Sequence, residues 1–292
     1  FGLRLAAHVG TARRIAHPGV PTPAMAAAVS LEKLGGGIAV ISLAKEPVNS
    51  MDLDFWRQLL STFEAAEADG ELHGVVFQSK LKRSVFTAGL DLKELHAPST
   101  SEGRLKEMWQ TLTKALAKIY GSRLATAAAI NGACPAGGCG LALCCDHRVI
   151  TRTGSMGLNE VALGIRVPKY WCELMTATVG QRNAEEVLLS AAMPAGPRLL
   201  ELGMVDALVD KPEDLLPSAL EKLKGWLKNP SKGFVQTKGY LRGDFAQRWM
   251  GGAEWEAGEV WSAINDPDCV AALGAVMARL SGGPKPKAKA KL

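Results

Sequence analysis

Short apolar runs mark the parts of the chain that are expected to form strands. Four such runs, rich in β-branched or small residues, lie at residues 37–43, 74–78, 124–130 and 147–151. Short apolar runs bounded by glycine or polar residues are typical of strands that are buried in a sheet. The runs therefore predict several strands distributed through the first half of the chain.

Between these runs, apolar residues recur at the spacing of a helix face. Series over 53–63 and 105–119 predict two helices, and the first has Asp52 and Asp54 in its first turn and Gly70 at its end. A glycine-rich loop before residues 138–145 predicts a third, short helix. Further along, Asn183 with Glu186 has the spacing of an N-cap and its capping-box partner.

Beyond about residue 210 the strand pattern stops and the chain is predicted to be helical. Four tryptophans, Trp226, Trp249, Trp255 and Trp261, are spread through this part. Strands that alternate with helices and then give way to helices predict an α/β fold with a helical C-terminal region. Large apolar patches usually mark interfaces, so we expect the chain to self-associate through the region after about residue 215.

The composition divides the chain into four parts. Residues 1–30 contain no Asp or Glu, three arginines and many alanines, which predicts a disordered leader or a targeting segment. Residues 31–212 are predicted to form the α/β core and residues 213–281 the helical region. Residues 282–292 are rich in Lys, Pro and Ala and are predicted to be a disordered tail.

Both ends carry candidate targeting signals. The last three residues, Ala290-Lys291-Leu292, are close to the Ser-Lys-Leu peroxisomal signal, although a Lys/Ala tail that ends in Leu also gives this by accident. The acid-free first 30 residues resemble an organelle transit segment. The peroxisome is therefore the predicted location, and the mitochondrial matrix is the alternative.

Charge and hydropathy argue against two classes of partner. The 292 residues are 47% hydrophobic and 22% charged, with a formal net charge of +5. Seven of the lysines and arginines lie at the two ends, so the body is close to neutral, and we expect no nucleic-acid partner. No apolar run reaches the roughly 18 to 20 residues of a membrane-spanning helix.

The six cysteines do not have the spacing of a metal site. Four cluster between Cys134 and Cys145, with no Cys-x-x-Cys pair. Zinc sites use closer, paired ligands, so we predict no metal and interpret these cysteines as small apolar residues packed in the core of a protein from a reducing compartment.

Three segments are candidates for chemistry. The first motif is residues 86–92 (FTAGLDL), the second is 131–140 (NGACPAGGCG) and the third is 156–165 (MGLNEVALGI). The second motif combines a strand, a glycine-rich turn and a helix start, which leaves free backbone N–H groups suited to an anion. No Gly-Lys-Ser/Thr follows, so a P-loop is excluded, and the dinucleotide fingerprint is absent.

The third motif places Glu160 between Leu158, Val161 and Leu163. A lone glutamate is more often a surface residue. If Glu160 is buried, loss of hydration raises its pKa and makes it a candidate general base.

Together, in this order and at these distances, the motifs resemble the crotonase (enoyl-CoA hydratase/isomerase) family over about residues 30–280. The Gly-Leu-Asn-Glu sequence of the third motif is most similar to Δ3,Δ2-enoyl-CoA isomerases of the mitochondrial type. The resemblance implies a spiral of repeated ββα units, an acyl-CoA thioester substrate, homotrimers or hexamers, and no cofactor beyond the coenzyme A of the substrate.

The resemblance also implies the site residues. It assigns the base to Glu160 and an oxyanion hole to the backbone N–H groups of Leu90 and Gly137. The substrate-binding positions that it implies are Ala88, Gly89, Leu90, Asp91, Leu92, Gly137 and Asn159, with Lys45, Pro47 and Val48 near the adenine end of coenzyme A. For Asn159, a turn cap is an equally open interpretation, and Asp91, Asp146 and His147 are interpreted as structural.

Hydratases of the family use two glutamates, and in this chain the first of the two positions is Gly140. One carboxylate is enough for a 1,3-proton shift, so the resemblance favours an isomerase of β-oxidation. The alternatives are another crotonase reaction, such as hydration or thioester hydrolysis, and an RNA-binding member of the family.

Overall fold

The computed structural model describes residues 27–281. Its strands are β1 Val29–Gly35, β2 Ile38–Leu43, β3 Gly74–Ser79, β4 Ala125–Ile130, β5 Ala133–Pro135, β6 His147–Thr151, β7 Ser155–Gly157 and β8 Ala207–Val209. Its α-helices are α1 Leu53–Ala68, α2 Leu92–Leu95, α3 Glu102–Gly121, α4 Gly137–Cys144, α5 Lys169–Val179, α6 Gln181–Leu189, α7 Pro197–Glu201, α8 Leu215–Trp226, α9 Ser231–Gly251, α10 Ala253–Ile264 and α11 Pro267–Leu280. Short 3-10 helices cover Ala97–Ser99, Glu160–Leu163 and Pro212–Asp214.

The strands form two sheets that the chain visits in turn. The large sheet has the order β1-β2-β3-β4-β6-β8, in which β1 is antiparallel to β2 and the other pairs are parallel. The small sheet pairs β5 with β7, and an isolated bridge adds Val85 beside Ala133. The chain therefore passes from the large sheet to the small sheet and then into a helix, as in β4-β5-α4. The predicted α/β spiral of ββα units is confirmed.

Helices cover both faces of the large sheet. On one face, Leu215, Ala219 and Leu223 of α8 pack against β2, β3, β4 and β6. On the other face, the main core contains α1, α3, α4 and α5, and Trp249 of α9 and Ile264 of α10 join it. The C-terminal helices thus share the two cores of the α/β part.

Most elements match their sequence prediction. The four predicted strands are β2, β3, β4 and β6, and α1 begins after Asp52, whose carboxylate accepts the Phe55 N–H at 2.9 Å. The sequence analysis did not predict β1. Its residues VSLEKLG are mostly exposed at the sheet edge, so they lack the continuous apolar pattern of the buried strands.

One expectation was wrong, and the basis of another is modified. Asn183 is inside α6, which begins after Gly180, and its side-chain amide donates to the Val179 carbonyl at 3.1 Å, so it is not an N-cap. The expected self-association rested on four tryptophans, of which the structure buries Trp249 fully on the main core, half-buries Trp226 and Trp261, and leaves Trp255 52% exposed.

Asp146 has the structural role that was expected. Its carboxylate accepts hydrogen bonds from the Lys238 ammonium at 2.7 Å and the Thr126 N–H at 2.8 Å, and it forms an ion pair with the Arg242 guanidinium at 2.9 Å. These contacts attach α9 to the start of β4 and β6.

The clustered cysteines from Cys134 to Cys145 are fully buried, as predicted. None of the helices within residues 27–281 is long and apolar enough to cross a bilayer.

Candidate active site

Within the first motif, the backbone N–H groups of the stretch from Phe86 to Asp91 donate hydrogen bonds to the surrounding fold, with one exception. From Phe86 to Asp91, each N–H except that of Leu90 has an acceptor among the described residues. In chain order the acceptors are the Ala133 carbonyl for Phe86 (2.9 Å) and Thr87 (3.3 Å), the Val48 carbonyl for Ala88 (2.8 Å), the Thr87 hydroxyl for Gly89 (2.9 Å) and the Met51 carbonyl for Asp91 (3.2 Å). The Leu90 N–H is therefore the donor that the stretch from Phe86 to Asp91 leaves available.

A parallel β-bridge between Leu90 and Met51 sets the direction of the Leu90 N–H. Met51 donates its N–H to the Gly89 carbonyl at 2.9 Å and accepts from Asp91, as in a parallel ladder. In such a ladder the N–H of the residue between the two bonded positions points to the opposite side. Gly89 has φ of 84°, and an added Cβ there would lie 3.0 Å from the Pro135 carbonyl oxygen, so the turn requires glycine.

The second motif supplies the adjacent donor. Gly137 is the first residue of α4, so its N–H has no intrahelical acceptor. The Leu90 side chain lies close to it, because an added Cβ on Gly137 would be 3.1 Å from Leu90 Cδ2. The preceding Ala136 has φ of 48°, and its N–H donates to the Gly157 carbonyl at 2.8 Å. The two predicted N–H donors are thus on neighbouring segments at a helix N-terminus, where an anion is stabilised.

Glu160 is buried next to these segments. It begins the 3-10 helix Glu160–Leu163, is 8% exposed, and neither of its carboxylate oxygens has a hydrogen-bond partner among the described residues. Burial raises the pKa of Glu160 from 4.5 to about 7. A carboxyl group with such a pKa can both accept and return a proton at neutral pH. The surface interpretation of Glu160 is therefore wrong.

A cavity of about 450 Å³ connects these groups. The predicted site residues that line it are Ala88, Leu90, Asp91, Leu92, Asn159 and Glu160, together with Val48. Gly89, Gly137, Lys45 and Pro47 are not among its lining residues. Gly89 and Gly137 lie directly behind the lining, whereas Lys45 is paired with Asp52 at the start of α1 and Pro47 is exposed.

Two polar residues of the lining have different roles. Asp91 caps α2, where its carboxylate accepts the Lys93 N–H at 3.0 Å and the Ser50 hydroxyl at 3.1 Å, in agreement with the structural interpretation. The Asn159 side chain makes no capping hydrogen bond at the start of the 3-10 helix, so the turn-cap interpretation is wrong. Asn159 instead lines the cavity.

An aromatic wall that the sequence analysis did not identify closes the cavity beside Glu160. Trp109 and Trp171 stack with ring centroids 6.0 Å apart and planes inclined by 22°. Glu256 from α10 accepts the Trp109 indole N–H at 3.1 Å and the Tyr170 N–H at 3.2 Å. Glu256 is 2% exposed, and burial raises its pKa. No local pattern near Trp109 or Glu256 signals this contact in the sequence, because the two residues are 147 positions apart.

The last two helices contribute apolar side chains to the cavity lining, namely Val260 from α10 and Val276, Met277 and Leu280 from α11, beside the polar Arg279 and Ser281. A cavity with many apolar lining residues and a few convergent polar groups is typical of a small-molecule site. Within residues 27–281, no group of three or more His, Cys, Asp or Glu side chains is arranged to hold a metal ion.

This arrangement can move a proton next to a developing negative charge. It combines an unpartnered, buried carboxylate, Glu160, with two backbone N–H groups, those of Leu90 and Gly137, of the kind that can stabilise an oxyanion.

Comparison with known proteins agrees with this geometry. Residues 33–268 match the family described as Enoyl-CoA hydratase/isomerase. A relative from Homo sapiens, enoyl-CoA delta isomerase 1, mitochondrial, is 35% identical over 218 residues, which are 73% of this chain and 70% of the relative. The crystal structure of human mitochondrial delta3-delta2-enoyl-CoA isomerase superposes with a TM-score of 0.83 at 32% identity, covering 87% of this chain and 98% of that one. An enoyl-CoA hydratase from Bacillus halodurans shares the fold, with a TM-score of 0.78 at 24% identity over 85% of this chain and 99% of that one.

Proposed function

The chain belongs to the enoyl-CoA hydratase/isomerase family, and we propose that within it this protein is a Δ3,Δ2-enoyl-CoA isomerase that acts on unsaturated acyl-CoA thioesters in β-oxidation. The observation that carries the proposal is the pairing of one unpartnered, buried carboxylate with the two N–H donors. Glu160 and Asp91 are the acidic side chains of the described cavity lining, and the Asp91 carboxylate is already hydrogen-bonded. The similarity to the human isomerase supports the same assignment.

In the proposed reaction, Glu160 takes a proton from C2 of a 3-enoyl thioester. The electron pair of the broken C–H bond moves into the thioester, whose oxygen becomes an enolate oxygen held by the Leu90 and Gly137 N–H groups. Glu160 then returns the proton at C4, and the double bond now lies between C2 and C3. Donors that are already in place favour a charge that appears only during the reaction, and removing one such donor in another enzyme costs about 3 kcal/mol.

The proposed reaction needs no metal or redox cofactor, because the thioester itself makes the C2 proton acidic. Coenzyme A is part of the substrate. The 3-enoyl-CoA thioester is thus the one small-molecule partner that we propose.

Hydration would require a second group to hold and deprotonate water beside the double bond. Position 140, where a hydratase of the family has that glutamate, is Gly140, and the adjacent volume contains the indole of Trp171. This arrangement supports isomerisation over hydration. For the RNA-binding alternative, the cationic ends that could contact a phosphate backbone lie outside the described residues.

The decisive experiment compares two reactions of the wild-type protein. One assay follows conversion of 3-enoyl-CoA to 2-enoyl-CoA, and the other follows hydration of 2-enoyl-CoA under the same conditions. We expect kcat/KM for isomerisation to exceed that for hydration clearly. A hydratase kcat/KM equal to or above the isomerase value would contradict the proposed function.

We also propose that the chain forms homotrimers or hexamers. The exposed apolar side chains Tyr240 and Leu241 on α9, 90% and 76% exposed, support an interface on this helix. Light scattering at micromolar concentration is expected to give three or six times the mass of the chain, and a monomer would contradict this.

For the location, the terminal Ala290-Lys291-Leu292 supports the peroxisome, and the mitochondrial relatives support the matrix. Both signals lie outside the described residues. Deleting the last three residues from a labelled chain is expected to abolish peroxisomal import and leave activity intact. Import that survives this deletion, or matrix localisation of the full chain, would favour the N-terminal signal.

A further inference from the structure

We propose that Thr87 is a positioning residue that sets the direction and spacing of the two oxyanion donors, Leu90 N–H and Gly137 N–H. The inference rests on the proposed function, because it concerns the same anion-binding site. Thr87 itself is fully buried and is not among the residues that line the cavity. It therefore acts through the two backbone segments and not on substrate.

The Thr87 hydroxyl makes one hydrogen bond to the loop before α1 and one within the first motif. It donates to the Asn49 carbonyl at 2.8 Å and accepts from the Gly89 N–H at 2.9 Å. The Gly89 N–H is the donor immediately before Leu90, and without this acceptor it would be a second free donor in a turn of positive φ. The hydroxyl thus leaves Leu90 as the one available donor from Phe86 to Asp91.

The partner of that hydroxyl is itself held firmly. Asn49 is fully buried, and its side-chain oxygen accepts the Lys45 N–H at 2.7 Å. Its amide donates to the Phe86 carbonyl at 2.9 Å and to the Ser79 hydroxyl at 3.0 Å. Because Asn49 connects the end of β2 with the end of β3 and the first motif, the Thr87 hydroxyl is anchored to the large sheet.

The Thr87 methyl group contacts the second motif. An added Cβ on Gly138 would lie 2.2 Å from Thr87 Cγ2, so the methyl group fills the space directly over the first turn of α4. Gly138 follows Gly137, the second donor. The Thr87 side chain therefore contacts both donor segments. Its hydroxyl bonds to the segment that carries the Leu90 N–H, and its methyl group packs on the segment that carries the Gly137 N–H.

These two roles can be separated by near-isosteric substitutions. Thr87→Val keeps a methyl group over Gly138 but removes the hydroxyl, so the Gly89 N–H and the Asn49 carbonyl lose their partner. Thr87→Ser keeps the hydroxyl and removes the methyl group. The role of each half of the side chain is then read from a different variant.

The experiment measures turnover and the polarisation of a bound thioester. For wild type and both variants, kcat and KM are determined with 3-enoyl-CoA, and the carbonyl stretching frequency of bound 2-enoyl-CoA is recorded by difference infrared spectroscopy. We expect Thr87→Val to lower kcat by ~10-fold or more and to change KM less than ~3-fold, because displaced donors stabilise the transition state less well. We also expect a smaller carbonyl shift, which is the fall in the thioester C=O stretching frequency when the ligand binds. Thr87→Ser is expected to have a smaller effect in the same direction.

A purely structural role predicts the opposite pattern, in which unfolding midpoints fall while the carbonyl shift of the bound ligand stays at the wild-type value. That result, or a Thr87→Val kcat within twofold of wild type, would overturn the inference. If Thr87→Val does not fold, Thr87→Ala removes the same hydroxyl without adding bulk, and a wild-type kcat and carbonyl shift in that variant would overturn the inference. If the wild type itself fails to isomerise 3-enoyl-CoA, the proposed function is lost, and the carbonyl shift still decides whether Thr87 sets the donors.

Discussion

Gly140 faces the ring of Trp171: a Cβ added to Gly140 would lie 3.6 Å from the indole atoms Cε2 and Cζ2. Leu116 bounds the same space at 3.7 Å. These distances are ordinary van der Waals contacts, so a methyl group fits without movement. A carboxylate on a longer chain would have to displace Trp171, which is fully buried against Trp109.

The first prediction follows from this contact. Gly140→Glu is expected to lower the free energy of unfolding by about 1–3 kcal/mol through overpacking, and to leave hydratase activity no higher than in wild type. Gly140→Ala, the matched control, should keep both stability and isomerase turnover. Urea unfolding and parallel assays of both reactions test this. A stable Gly140→Glu protein with raised hydration would show that Trp171 moves aside.

Glu160→Gln should remove the base and keep the shape of the site. Because Gln cannot take a proton from C2, we expect isomerase kcat to fall by about 10²–10⁴-fold, the usual contribution of a positioned general base. Binding of 2-enoyl-CoA, measured by calorimetry, should stay within a few-fold of wild type. Glu185→Gln, the same substitution on an exposed face of α6, is the control and should change neither quantity. More than a tenth of wild-type kcat in Glu160→Gln would exclude the base role.

Activity should depend on pH through the same carboxyl group. Burial raises the pKa of Glu160 to about 7, and the deprotonated form is the one that accepts the C2 proton. The logarithm of kcat/KM is therefore expected to rise with pH below about 7 and to level off above it. Steady-state rates between pH 5.5 and 9 test this, and a profile that is flat from pH 5.5 to 7 would contradict a raised Glu160 pKa.

Stability should show the opposite trend. Since the folded-state pKa of Glu160 lies above its ordinary value of 4.5, the contribution of this group to stability is fully present below pH 4.5 and is lost as the pH rises through about 7. Glu160→Gln does not ionise, so relative to wild type it should gain about 3 kcal/mol between pH 4.5 and pH 8. Urea unfolding of both proteins across this range measures the difference. A constant difference would mean that Glu160 titrates normally.

The sequence predicted those parts of the fold and site that depend on local patterns. The helix after Asp52 and the strands β2, β3, β4 and β6 follow from periodicity and capping. Leu90, Gly137 and Glu160 could be located because their motifs are short and contiguous. In each case the residues that determine the feature are neighbours in the chain.

The missed features depend on contacts between distant residues. Glu256 of α10 is buried against Trp109 of α3, and nothing within a few residues of either indicates that contact. The same holds for Thr87, whose hydroxyl completes the turn that presents Leu90, and for the exposed edge strand β1, which has no buried-strand pattern. The number of tryptophans after residue 215 indicates neither which rings are buried nor which are exposed, because burial depends on contacts with distant residues.

The hydrogen bond between Trp109 and Glu256 joins two residues that the ribosome makes at different times. The two residues are 147 positions apart, so at ordinary translation rates the indole leaves the ribosome on the order of 10 s before its carboxylate acceptor. Gly137 and Glu160 are synthesised within that interval and Leu90 before it, while Val260 and the lining residues of α11 follow later. The part of the cavity wall that the last two helices form is therefore the last part of the site to be synthesised.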